Sequence, residues 1–152
     1  MPDPVSFTSA SPRYLLPMLF SGQAQKEFIV NEAHARIDAL LHPSIEGVAN
    51  DPPATPVDGE CWLIDDTPTA EWADNAGVLT CYEAGNWLFV EPRDGLRLLD
   101  RSTGQILLFN GGWAAATAPQ APIGGTTVDG EARTAIGEII AALEDAGILA
   151  QP

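Results

Sequence analysis

Two cysteines, two histidines and three evenly spaced arginines are the residues of this sequence whose types and spacing invite a chemical reading. Cys61 and Cys81 each sit in an apolar, strand-like run. No CxxC is present, and two cysteines are too few for a disulfide framework. Buried free thiols are the preferred reading over a bridge, because cysteine is among the most buried residue types. His34 and His42 are eight residues apart, whereas a helical zinc pair needs i, i+4 spacing and a third ligand. They read as surface or capping residues. Asp65, Asp66, Glu71 and Asp74 fall in one loop without EF-hand spacing, which describes a solvated acidic loop. No GxSxG, GxGxxG or Walker A pattern occurs. The expectation is therefore a protein that is not an enzyme, with no catalytic residues, no metal and no cofactor.

The remaining candidates concern binding. Arg93, Arg97 and Arg101 are the three bases of residues 43–127, against twelve acids. Spaced by four, they fall on similar faces of strands. Local pairing with Asp94 and Asp100 is slightly preferred, since such pairs form readily. The alternative is a patch that meets an acidic surface on a neighbouring subunit or grips an anionic sugar. Of four tryptophans, Trp62, Trp87 and Trp113 read as core. Trp72, in the acidic loop, is the expected exposed contact, because an indole ring stacks well on a sugar.

The chain that positions these residues has 152 of them, 45% hydrophobic, with a net charge of -14. That length and composition support one domain with a core and argue against disorder. The acidity excludes phosphate-backbone binding to nucleic acid and adhesion to anionic membranes. No spanning segment or signal peptide is expected.

The fold class expected is α+β, with an N-terminal helix packed on a small antiparallel β-meander, then a linker and a C-terminal helix. Residues 1–20 contain four prolines among apolar side chains and read as an extended docking arm. Residues 21–116 read as the domain proper. Ser21 is a candidate N-cap, and Val30, Ala33, Ile37 and Leu40 form one apolar face up to Pro43. Short apolar runs parted by glycines then follow. The segments 78–87 and 105–113 resemble each other: strand, terminal aromatic, glycine turn, tryptophan. The aromatic and tryptophan of each are expected to pack across a hairpin.

Residues 117–127 have linker composition. Residues 128–152 hold a second helix, with Asp129 or Thr127 as N-cap and Gly147 as C-cap. Ala132, Ile136, Ile139, Leu143 and Ala146 make a heptad seam of about two heptads, short of the three or four that define a coiled coil. Such a helix must pack on something, and Ile136, Ile139 and Leu143 are the expected oligomer contacts.

Gln23-Ala24-Gln25-Lys26-Glu27, continuing to Asn31-Glu32-Ala33 and Ile37-Asp38-Ala39-Leu40, resembles the opening of an uncharacterised family of alphaproteobacterial phages, prophages and gene transfer agents. Pro56 to Glu60, Glu71-Trp72-Ala73, Gly85 to Gly95 and Phe109 to Trp113 resemble its later blocks, in order, over roughly residues 13–114. The terminal helix resembles one appended to virion fibre proteins of the same viruses. The resemblance implies a particle component, such as a head-spike base, tail-fibre or baseplate adaptor. The apolar arm, the arginine cluster against an acidic surface and the linker-tethered heptad helix suit a symmetric homo-oligomer (trimer or pentamer) among capsid, spike or tail proteins, supporting host attachment and, without a signal peptide, made in the bacterial cytoplasm. Gln25, Lys26, Asn31 and Glu32 match the family's most recognisable motif, with a structural role on the helix. The alternative function is a carbohydrate-binding module for host surface polysaccharide.

Overall fold

The computed structural model describes Pro17 and residues 26–150, with side chains from residue 29 onward. The expected arm and the start of the first helix, including Ser21 and Gln25, lie outside the described residues. Helix α1 spans Lys26–Leu41 and stops before Pro43, which cannot donate to continue the helix. Its expected apolar face is less covered than the spacing suggests. Val30, Ala33 and Leu40 are half-buried and Ile37 is exposed. Ala39 and Leu40, at the C-terminal end, are the α1 residues that pack against the core.

Eight strands follow: β1 (Ser44–Ile45), β2 (Val48–Ala49), β3 (Cys61–Ile64), β4 (Leu79–Glu83), β5 (Asn86–Val90), β6 (Arg97–Asp100), β7 (Gln105–Phe109) and β8 (Trp113–Ala115). The fold is α+β, but the single expected meander is two sheets, ordered β1-β6-β7-β8 and β2-β3-β4-β5. Each sheet is a three-stranded antiparallel meander with one short strand added in parallel. The added strands come from one stretch of chain that crosses between sheets at Glu46-Gly47. Two-residue strands carry no readable periodicity, so sequence pattern alone misses this crossover.

The two halves correspond closely. Leu99 and Arg101 donate their N–H groups to the carbonyls of Pro43 and Ile45. Leu63 and Asp65 donate likewise to Gly47 and Ala49. The similar segments 78–87 and 105–113 occupy the equivalent β4–β5 and β7–β8 hairpins. Their aromatic pairs form as expected: Tyr82 against Trp87 at 4.9 Å between ring centroids, and Phe109 against Trp113 at 5.2 Å. Ala84-Gly85 turns the first hairpin with both φ angles positive, 50° and 80°, as a type I′ turn requires.

The sheets pack face to face around Ile45, Leu63, Leu79, Cys81, Val90 and Leu98. A second cluster lies on the outer face of the β2–β5 sheet, where Ile64, Trp72 and Val78 meet Trp62, Trp87 and Phe89. Cys61 and Cys81 are direct partners in the β3–β4 register, with Cα atoms 4.0 Å apart, and they form a disulfide. This corrects the expectation of free thiols. Burial gave the right environment for Cys81, but the strand register sets the two sulfurs against each other.

Helix α2 spans Gly130–Asp145. Asp129 is its N-cap, its carboxylate accepting from the Ala132 N–H at 3.0 Å. The stretch before it, residues 117–129, is exposed throughout. Among the described residues no helix is long and apolar enough to cross a membrane.

Candidate functional site

Trp72 is the expected sugar-stacking residue, and the structure removes it from solvent. It closes the short 3-10 turn Ala70–Trp72 and is 0% exposed. Its ring lies 6.4 Å from Trp62 and 5.1 Å from Trp87. Asn50 and Asp51 hold the loop. The Asn50 side-chain oxygen accepts from the Thr67 N–H and hydroxyl, both at 3.0 Å, and Asp51 accepts from the Thr69 hydroxyl. The loop is acidic and solvated at Asp65, Asp66, Glu71 and Asp74, while Trp72 turns inward. Covering the sheet with a large apolar ring outweighs leaving it in water.

The arginines are all exposed. Arg97 opens β6 on its outer face, Arg101 begins the turn after it, and Arg93 lies in the preceding loop. The expected pairing with Asp94 and Asp100 does not form. Asp94 accepts from the Gly111 N–H at 2.8 Å, and Asp100 from the Ser102 N–H and hydroxyl at 2.9 and 2.6 Å. These acids bond locally to turns, which compete well for short carboxylates. Arg101 pairs instead with Glu46, at the crossover between sheets. Among the described residues Arg93 and Arg97 make no ion pair.

Of the helix motif, Gln25 and the Lys26 side chain lie outside the description. Asn31 and Glu32 are exposed and border a gap of about 310 Å³ between α1 and the β4–β5 turn. Glu32 pairs with Arg36 one turn on, at 3.0 Å. An exposed pair of this kind contributes a few tenths of a kcal/mol.

The C-terminal segment is built more firmly at its base than along its helix. Past α2 the chain returns to the sheet. The Ile106 N–H donates to the Gly147 carbonyl at 2.6 Å, and Leu149 bridges Ala116 in parallel and is buried. Gln105, itself buried, clamps both ends of the excursion: its amide nitrogen donates to the carbonyls of Ala116 (2.5 Å) and Ile148 (3.1 Å). Gly147 has φ 68°, and a Cβ there would meet the Gly104 carbonyl at 3.1 Å. The helix above this base has no buried residue. Ile136 is 41% and Ile139 60% exposed, and Leu143 is half-buried. By helical spacing Arg133, Ala135, Ile140 and Ala142 flank this stripe, while Glu131, Glu138, Glu144 and Asp145 lie on the side of the helix away from it.

A second apolar surface is the outer face of the β1-β6-β7-β8 sheet. The register sets Arg97 opposite Leu108, Leu99 opposite Ile106, and Leu108 opposite Ala114, so these side chains share one face. Leu99, Leu108 and Ile148 are exposed on it. Sequence reading missed this face and Gln105. The alternation of Arg97-Leu98-Leu99-Asp100 held the signal, but apolar residues occupy both parities.

One cleft of about 560 Å³ opens where the sheets meet. Phe109 and Trp113 wall one side, and Asp65, Asp66 and Glu91 stand around it. Trp113 is fixed there by donating its indole N–H to the Gly77 carbonyl at 2.8 Å. Among the described residues no group of three or more His, Cys, Asp or Glu side chains is placed to hold a metal ion.

The geometry defines a small α+β domain of two packed four-stranded sheets, carrying a helix that stands clear of the core. Residues 30–114 match the model of a family described as a protein of unknown function (DUF2793), and the chain belongs to that family. The match takes in β1 to β7 and the first two residues of β8, and leaves α2 outside it. No curated protein matches the chain.

Proposed function

We propose that this protein is a non-catalytic structural subunit that assembles as a symmetric homo-oligomer in the particle of a phage or gene transfer agent. A head-spike base or a tail-fibre or baseplate adaptor, supporting host attachment, is the specific role. The observation that carries the assembly reading is α2, whose Ile136 and Ile139 are exposed, with Leu143 half-buried beside them, while its base is fastened to the sheet by Gln105 and Gly147. An amphipathic helix of this kind is stabilised chiefly by packing its apolar face. Closed rotational symmetry is the usual outcome when a soluble chain carries such a surface. The particle assignment is supported by the ordered sequence blocks from Gln23 to Trp113. The chain should co-purify with intact particles released by the producing bacterium and be lost from them when Ile136 and Ile139 are both changed to Asp. Particles that lack the protein contradict the assignment.

The cleft favours a second reading, a carbohydrate-binding module. Carboxylates accept from sugar hydroxyls, and the Trp113 ring offers an apolar wall. Binding on an array of bacterial surface glycans that is abolished by Asp66→Asn with Glu91→Gln supports it. An array without signal removes it.

A further inference from the structure

We infer that the outer face of the β1-β6-β7-β8 sheet is the seat for α2 of a second copy of this chain, so that each subunit lends its helix to a neighbour's sheet. The inference rests on the assembly reading and specifies its contact.

The two sheets are built alike but finished differently. The long connection between β3 and β4 folds over the outer face of its own sheet, with Trp72 fully buried beneath it. The equivalent connection between β6 and β7 is the tight turn Arg101–Gly104, too short to fold over the outer face of its sheet. The face it leaves bare carries Leu99, Ile106, Leu108, Ala114 and Ile148 around Arg97. A sheet with one apolar face uncovered is completed by a further layer, and an amphipathic helix is a standard one. Among the described residues α2 is such a helix, with no residue buried.

Charge selects the same pairing. Arg97 lacks an ion pair among the described residues and stands on the bare face at the start of β6, opposite Leu108. The α2 helix carries Glu131, Glu138, Glu144 and Asp145 against Arg133. These acids lie on the side of α2 away from its apolar stripe, so the attraction to Arg97 is that of a helix with four acids against one base, not of a direct ion pair. Helix-to-helix bundling would instead bring together two helices of the same net negative charge, which is unfavourable.

The helix is held off its own sheet. Its C-terminus ends in two crossed bonds, Gly147 N–H to the Glu144 carbonyl and Ile148 N–H to the Leu143 carbonyl, both 2.9 Å. This is the Schellman arrangement, which fixes the exit direction of the chain. Gly147 and Ile148 are in turn bonded to Ile106 and Gln105. Laying α2 on its own sheet would break that set of bonds, whereas receiving a neighbour's α2 breaks none. The resulting contact is heterologous, helix to sheet, and closes into a ring when the rotation between subunits permits.

The test uses the full chain with its native disulfide. Ile139→Cys and Leu108→Cys are made on separate, differently tagged preparations and mixed under mild oxidation. The expected product is a covalent dimer joining 139 to 108, several-fold more abundant than either homodimer. Predominant 139–139 dimers would overturn the inference in favour of helix bundling and leave the assembly reading intact. A predominant intrachain bond in the double variant would overturn it in favour of self-coverage. A monomer without cross-links would remove both. Independently, Leu108→Lys sets a second cation beside Arg97 on an exposed position. It should raise the dissociation constant of the oligomer about 30-fold or more with the thermal midpoint of the dissociated chain unchanged. An unaltered dissociation constant counts against the seat.

Discussion

Trp72→Ala should lower the unfolding free energy by about 3–5 kcal/mol, the range for removing a large buried aromatic side chain. Trp72 is fully enclosed and joins three elements: its own loop, β3 through Trp62 and β5 through Trp87. Domains of this size are typically stable by about 5–15 kcal/mol, so the variant should approach the limit of folding. Its thermal midpoint should fall by roughly 10 °C. Trp72→Phe should cost clearly less. It keeps most of the ring, and the indole N–H it removes is buried without a partner. Denaturant titration of the two variants decides the matter. A loss below about 1 kcal/mol for the alanine variant would mean that the ring is exposed, as the loop's acidity alone suggests.

Reduction of the Cys61–Cys81 bond has the next largest expected effect. The bond closes a loop with a sequence separation of 20, for which chain-entropy arguments give about 3 kcal/mol. The loop it closes is the one that carries Trp72, so loosening it also loosens the second hydrophobic cluster. The denaturant midpoint should drop on adding dithiothreitol, and the Cys61→Ser/Cys81→Ser variant should be insensitive to the reductant. A native protein that titrates as two free thiols, with the same midpoint in either condition, would show that the bond is absent. Bonds of this kind persist in oxidising surroundings and are rare in the cytosol.

Much of the scaffold was readable before any coordinates. The glycine-punctuated runs between Gly59 and Trp113 marked the strands, the twin aromatic–turn–tryptophan hairpins were recognisable, and Asp129 and Gly147 announced the ends of α2. These are local signals, set by turn chemistry and capping within a few residues. What escaped was set over long distances. The disulfide depends on the β3–β4 register across a connection of 14 residues. The burial of Trp72 depends on a loop folding back over a sheet. The division into two sheets depends on the crossover at Glu46-Gly47, whose strands are too short to show a period. The candidate surfaces divide in the same way. The α2 stripe was legible from its spacing. The bare sheet face required knowing that one sheet has a covering loop and the other does not.

The central claim is that the exposed stripe of α2 assembles copies of this chain. Sedimentation equilibrium of the purified protein, compared with the Ile136→Asp/Ile139→Asp variant, tests it most directly. The account predicts a closed oligomer, three or five times the 16.1 kDa chain, that collapses to the monomer mass in the variant, with the thermal midpoint of the dissociated chain unchanged. A wild-type protein that sediments as a 16.1 kDa monomer across the accessible concentration range would contradict it.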